Sequence, residues 1–192
     1  MEWKLLTKPD YVATNWSGGT TTQLAIAPEG AVYADRDFFW RLSSATVELE
    51  HSDFTPLPDY DRLLAVLDGE IKLKIDQGEP FPLGPGRVVA FDGGVPVESW
   101  GQCVDFNLMV RKGKVRGFVS EERREEAYEE TIQPGARTCG LAIYCVSGTA
   151  CLPAFGLEVR PGQTLLCLEG QNEPFTIKGE PGVLMVACVR EA

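Results

Sequence analysis

The sequence predicts an all-β fold made of two copies of one module, and three observations carry that prediction. Short runs of alternating apolar and polar residues recur along the chain, and 20 glycines and 13 prolines punctuate them almost throughout. Parts of the first half also return in the second at a fixed spacing. At 192 residues the chain suits one large β domain or two modules of under about 100 residues each.

Trp3 to Leu6 opens as a strand, and Asn15-Trp16-Ser17-Gly18-Gly19 reads as a turn whose glycines permit backbone conformations other residues avoid. Thr20 to Ala27 alternates as a strand closed by Pro28-Glu29-Gly30. A glycine pair followed by threonines is not a phosphate cradle here, because a strand follows where a helix N-terminus is required. Phe38 to Val47 (FFWRLSSATV) is the stretch on which the rest turns. Its alternation puts Arg41, Ser43 and Ala45 on one face and Trp40, Leu42 and Ser44 on the other. Either the first face is solvated and Arg41 sits in water, or it lines a pocket and Arg41 needs an acceptor.

His51 to Asp61 is a loop rich in Pro and Asp, and Arg62 then opens an apolar strand, Leu63 to Leu67. Asp68-Gly69 is expected to form a hairpin turn, with Glu70 to Ile75 returning. Gly84-Pro85-Gly86 precedes a strand from Arg87 to Phe91. Cys103 to Val110 puts Asp105, Asn107 and Met109 on one face and Phe106 and Leu108 on the other. Ser120 to Glu130 (SEERREEAYEE) breaks the pattern. Its charge density, its lack of Gly and Pro, and Ser120 as N-cap predict a short solvated helix.

Pro85-Gly86 recurs as Pro161-Gly162, and Leu108-Met109-Val110 as Leu184-Met185-Val186, both at an offset of 76 residues. Asp92-Gly93 answers to Glu169-Gly170 one residue out of step, and LLAVLDG from Leu63 resembles LAIYCVSG from Leu141. The expected division is an N-terminal module over 1–118, a charged linker helix over 119–135, and a C-terminal module over 136–192 completed by N-terminal strands. The module's order of strand, glycine turn, strand, Pro-Gly and two more strands resembles a cupin, the small double-sheet jelly-roll barrel. The expected fold is therefore a bicupin, two cupin-type jelly-roll β-barrel modules with a short linking helix. The metal-binding cupin pattern calls for three histidines, whereas this chain has one, His51, in a loop. No metal and no cofactor are expected.

The net charge of −10 and a pI near 4.6 argue against nucleic acid or an anionic membrane as partner. An anionic ligand has to be held by local arginines instead. No apolar run is long enough for a signal peptide or a membrane span, so a cytoplasmic protein is expected. The six cysteines lack any C-x-x-C spacing and are read as reduced strand residues.

Asn15-Trp16-Ser17-Gly18-Gly19-Thr20-Thr21, Trp40-Arg41-Leu42-Ser43, Phe54, Pro58-Asp59-Tyr60-Asp61-Arg62 and Asp105-Phe106-Asn107-Leu108-Met109, in this order, resemble the HutD/Ves family. The resemblance covers roughly residues 1 to 112 strongly and the second module in outline. The chain departs from the family at His51 to Pro58, where an Asp-Gly-Pro-Phe-Ser type of turn is usual. The resemblance implies a bicupin without an established catalytic metal, linked in bacteria to histidine utilisation. It implies a protein that senses or binds a small carboxylate metabolite rather than catalysing a step.

The expected ligand pocket takes Arg41 and Ser43 from one strand, Asp105 and Asn107 from another, and Arg62 at the mouth of a third. Asn15, Trp16, Thr21 and Gln23 form its entrance, and Trp16 or Trp40 covers an imidazole or alkyl face of the ligand. An arginine fork suits a carboxylate because it offers two parallel charge-assisted bonds. The competing arrangement is a buried Arg41–Asp105 ion pair that holds the barrel shut. The leading function is a non-catalytic, metal-independent binder of a small carboxylate metabolite, with a regulatory role in amino-acid catabolism. The alternative is a metal-free cupin isomerase or lyase with Asp105, Glu48 or Tyr60 as general base. A third reading has the acidic helix meeting a basic partner. Sheet edges have to be covered, which makes a homodimer an expectation.

Overall fold

The computed structural model describes residues 2–168 and 173–192, and the backbone there is mostly strand. β1 (Trp3–Leu6) is followed by β2 (Val12–Trp16), β3 (Gly19–Ala27), β4 (Trp40–Val47), β5 (His51–Asp53) and β6 (Tyr60–Gly69). Then come β7 (Ile71–Ile75), β8 (Phe81–Leu83), β9 (Val88–Asp92), β10 (Val97–Trp100) and β11 (Cys103–Arg111). The remainder forms β12 (Val115–Arg124), β13 (Tyr128–Ile132), β14 (Thr138–Leu152), β15 (Leu157–Val159), β16 (Thr164–Cys167) and β17 (Phe175–Glu191). Among the described residues the only helical segments are single 3-10 turns, and no helix is long and apolar enough to cross a membrane. The chain divides into two compact units, Tyr11–Val115 and Met1–Asp10 with Arg116–Ala192.

The Tyr11–Val115 unit holds two sheets, one of six strands in the order β2-β3-β4-β11-β6-β9 and one of four in the order β5-β10-β7-β8. Ala45, Val47, Leu64 and Val66 of the larger sheet share one core with Ile71, Leu73, Leu83 and Val97 of the smaller. The sheets therefore face one another across that core. Each fully buried leucine in it stabilises the unit by roughly 1.5–3 kcal/mol through burial alone. The central strands β4 and β11 are buried on both faces, which is why neither reads as a clean alternation of apolar and polar residues.

The hairpin expected at Asp68-Gly69 is a corner instead: β6 pairs with β11 and β9, whereas β7 pairs with β10 and β8. The chain leaves the larger sheet for the smaller at Gly69 (φ 83°), returns to it for β9, and after β10 makes its last crossing back at Gly101 (φ 111°). A Cβ on Gly69 would lie 2.5 Å from the Gln102 carbonyl, and one on Gly101 would lie 2.7 Å from the Glu70 carbonyl. The two corners therefore run in backbone contact, and only glycine fits that approach.

The second unit is one seven-stranded sheet with the path β1-β16-β14-β17-β12, to which β13 adds on β17 and β15 on β14. Trp3, Leu141, Ile143, Leu165, Phe175 and Ile177 are part of its core. β1 belongs here because it pairs antiparallel with β16, Trp3 against Cys167. The linking helix expected over 119–135 is replaced by strand, in β12 and β13. The charges that favour a helix find partners in the strands instead: Arg124 bonds Glu122 of its own strand at 3.1 Å and, across the connection, Glu130 of β13 at 2.8 Å. Every second residue of β12 is half-buried or better up to Glu121, and pairing with the long β17 outweighs local helix propensity.

The internal repeat shows in the pairing. Each Pro-Gly turn, at Pro85-Gly86 and Pro161-Gly162, leads to a strand that lies beside the unit's long strand and then its last one, β9-β6-β11 and β16-β14-β17. The Glu169-Gly170 half of the match lies outside the described residues. The six cysteines all lie in strands.

Gly101→Ala is expected to destabilise the Tyr11–Val115 unit by about 2–4 kcal/mol, because the methyl group meets backbone at a φ that only glycine tolerates. Denaturant unfolding of the variant checks this. A change under about 0.5 kcal/mol would show that the corner is not under constraint.

Candidate functional site

The site follows from register. Met109 in β11 lies opposite Arg41 in β4 on one side and Arg62 in β6 on the other. One pair along the same face, Asn107 lies between Ser43 and Leu64, and one further, Asp105 lies between Ala45 and Val66. β3 extends these rows with Gln23 beside Ser43 and Thr21 beside Ala45, and β2 adds Thr14 beside Thr21. A side-chain period of two therefore delivers two arginines, an asparagine and an aspartate to one face of the larger sheet.

That face lines a cavity of about 350 Å³, within the range for a small-molecule site. Trp16, Thr21, Arg41, Ser43, Arg62, Asp105 and Asn107 from the expected set line it. Three expected residues do not. Trp40 is buried on the opposite face, as its place next to Arg41 in the strand requires. Gln23 stands behind the cavity, its Oε1 accepting from Arg41 Nε at 2.8 Å. Asn15 is exposed and accepts from the Thr20 hydroxyl at 2.9 Å, which fixes the β2–β3 connection.

The two arginines are not at a solvated face or mouth, since both are only 6% exposed. Their partners are neutral. Arg41 donates to Gln23 and, through Nη1, to Ser43 Oγ at 3.3 Å, and its guanidinium carbon lies 4.1 Å from the centre of the Tyr33 ring. Arg62 packs between aromatic rings, 4.8 Å from Phe54 and 5.6 Å from Phe91, and its Nε is buried without a hydrogen-bond partner. Neither forms a direct ion pair with Asp105, so the arrangement in which an Arg41–Asp105 bridge holds the barrel shut is not the one found. Asp105 Oδ1 instead accepts from the Ala45 backbone N–H at 2.9 Å.

Burial controls the protonation of this group. It pushes the Asp105 carboxyl up to about 6, against the opposing pull of the Ala45 N–H and of the two arginines. It also lowers Arg62 to about 10 and lowers Arg41. Asn107 Oδ1 and Ser52 Oγ are further buried polar atoms without partners. Arg124 in the second unit is the contrast, since it lines a hollow there with two carboxylates bonded to it.

Tyr33, Phe54, Met109 and Ser52 were not foreseen as lining residues. Phe54 and Tyr33 lie in loop and 3-10 segments whose direction no periodicity fixes, whereas Met109 shares the Asp105 and Asn107 face and was legible by alternation. His51 is in β5 rather than a loop, and its exposed ring nitrogen lies 3.4 Å from Glu98 Oε2. His51, Asp53 and Glu98 hold their donor atoms within 4.8 Å of one another, with Lys74 Nζ on the other oxygen of Glu98 at 3.2 Å. Those two neighbours hold the Glu98 carboxyl below its usual range, Lys74 foremost.

The described architecture is similar over essentially full length to HutD from Pseudomonas fluorescens SBW25, solved in a formate condition, with a TM-score of 0.79 and 20% identity over 100% of both chains. The conserved protein PA5104 of Pseudomonas aeruginosa PAO1 matches with a TM-score of 0.79 and 24% identity, over 100% of this chain and 99% of that one. The bacterial pirin YhhW of Escherichia coli, in complex with nickel(II), matches at 0.74 with 8% identity over 99% of each chain, which places the fold among cupin-like proteins. No curated protein sequence gives a significant match. The HutD family model matches residues 8–185, nearly the whole chain, and the chain belongs to the HutD family.

Proposed function

We propose that the chain is a cytoplasmic small-carboxylate-binding bicupin that holds its ligand without a metal ion and acts as a regulator or sensor in histidine or amino-acid catabolism. The pairing of Arg41 and Arg62 on either side of Met109, both buried and both held by neutral groups, carries this reading. A guanidinium out of water without a counter-ion costs several kcal/mol, and a ligand carboxylate shared by the two offsets that cost. Each charge-assisted bond contributes about 1.5–3 kcal/mol. The unpartnered Asn107 Oδ1 asks for a donor on the same ligand, and Trp16, 40% exposed, and Phe54 cover its apolar body. The repeated strand order supports the bicupin description, and the family resemblance supports the link to histidine utilisation. A homodimer fits the exposure of the edge strand β2 along its whole length.

A metal-free isomerase or lyase is the second reading, favoured by one observation. Of the three general bases considered, Asp105 alone lines the cavity, with its carboxyl near 6. Glu48 is exposed, and the Tyr60 hydroxyl is committed to the carbonyls of Arg36 and Phe38, at 2.9 and 3.0 Å. Turnover of a bound carboxylate, lost in Asp105→Asn with binding retained, would establish the enzyme. The reading based on an acidic helix loses its element, since that segment is strand.

Arg62→Met is expected to weaken binding of small carboxylates by about two to three orders of magnitude in calorimetry of chelator-treated protein, and Arg41→Ala likewise. The ligand-free Arg62→Met protein should melt no lower than the parent, because an unpaired buried charge has been removed. Unchanged affinity in both variants would sink the binding-site assignment.

Asp105 also makes stability depend on pH. Its folded-state pKa lies above the unfolded value, so its contribution is full below about pH 4 and is lost as pH rises through about 6. Asp105→Asn should therefore be more stable than the parent at pH 8, by up to roughly 3 kcal/mol, with the difference vanishing towards pH 4. Equal stability at both pH values would place Asp105 in contact with water.

A further inference from the structure

The charges that face this cavity are few. β4 contributes Arg41, β6 contributes Arg62, β11 contributes Asp105, and β5 contributes Asp53. Asp53 is exposed at the rim, where water and salt screen it. Three further titratable groups adjoin them: the Tyr33 phenol against Arg41, the half-buried Arg36 guanidinium 3.8 Å from the same ring but outside the cavity lining, and the Cys103 thiol two residues from Asp105, pushed up to about 12 by burial and so neutral. The buried charges that line the cavity are thus two positive and one negative, a surplus of one.

We propose that Asp105 sets the charge class of ligand that the cavity accepts: a monoanion enters with Asp105 ionised, whereas a dianion enters only together with a proton taken up by Asp105. The inference rests on the carboxylate-binding reading and adds the charge of the ligand to it. One negative charge from the ligand balances the buried set as it stands. A second leaves an uncompensated charge out of water, and the least costly remedy is to neutralise the carboxylate that is already there. The geometry favours that outcome. Asp105 Oδ1 is pinned by the Ala45 N–H, and the guanidiniums of Arg62 and Arg41 are the other groups that favour its ionised form. A second carboxylate on the ligand adds a negative charge that opposes that support and favours the neutral form of Asp105. Protonation also makes Asp105 a donor on the same face as Asn107 Oδ1, a buried acceptor without a partner. The proton comes from bulk water and returns to it when the ligand leaves. With the carboxyl already held at about 6, the exchange takes place close to neutral pH.

Butyrate and succinate, four-carbon acids with one and two carboxylates, separate the cases. Each is titrated calorimetrically at pH 7.5 in two buffers of different ionisation enthalpy, so that proton uptake is counted directly. Butyrate is expected to bind with well under half a proton taken up and succinate with close to one. Succinate affinity should fall about tenfold per pH unit from pH 7 to 8.5. Asp105→Asn, which keeps an acceptor for the Ala45 N–H, should abolish the uptake and bind succinate about tenfold or more tighter at pH 7.5. Succinate binding without proton uptake overturns the proposal, as does butyrate binding with no succinate binding at pH 6. If the variant does not fold, the two-buffer comparison on the parent protein decides alone. Absence of binding by either acid at pH 6 and 7.5 would overturn the carboxylate-binding reading itself, and the proposal with it.

Discussion

Two guanidiniums buried on one sheet face, with a single carboxylate for company and no direct bond to it, are the constraint to which the Tyr11–Val115 unit is fitted. Neither cation can be left bare, and each is met by what a protein can offer without cancelling its charge. Arg41 has an amide oxygen, a hydroxyl and an aromatic face, and Arg62 has two aromatic faces. Such partners hold the forks in place and leave the charge available. A structural ion pair does the reverse, as Arg124 does with Glu122 and Glu130 in the other unit.

Holding that arrangement is a matter of register. β11 lies between β4 and β6, and a slip of one residue would turn Asp105, Asn107 and Met109 away and bring Phe106 and Leu108 to the cavity. The neighbouring strands are pinned at the point where the chain changes sheets. Gly69 ends β6 and Gly101 precedes β11, in backbone contact with the opposite corner, so the strands on either side cannot shift independently. The register of β6 on β11 shifts between Val104 and Asp105, with Leu67 the extra residue in β6, just before the aspartate. The catch is local, and the polar residues beyond it are placed by alternation alone.

Alternation is also why much of the site could be read from the sequence. Arg41 with Ser43, and Asp105 with Asn107 and Met109, share faces by arithmetic, and pairing β4 with β11 brings the faces together. The same arithmetic puts Trp40 on the other face from Arg41, so its inclusion in the pocket conflicted with the strand assignment. What alternation does not encode is which sheet a strand joins. EIKLKI after Asp68-Gly69 reads equally well as the return arm of a hairpin or as the first strand of a second sheet, and long-range pairing chose the second. SEERREEAYEE failed for a related reason. Charges spaced for helix pairs also serve across a strand connection, and the long β17 offered it a partner. Tyr33 and Phe54 lie where no period applies.

The two units share the strand order β9-β6-β11 and β16-β14-β17, yet the first buries Arg41 and Arg62 without bonded counter-ions, whereas Arg124 of the second is bonded to two carboxylates. A repeated scaffold therefore does not carry the site with it, and the side chains along one face of three strands do. The global field works against them. With a net charge of −10 the chain repels anions at a distance, but salt screens that repulsion beyond about 8–10 Å. At the cavity wall the two guanidiniums are buried, so they act at short range and with less screening than surface charges. Under the proposed function, recognition of an anion would be a contact property with little long-range steering, which favours discrimination by charge count and hydrogen-bond geometry over rapid capture.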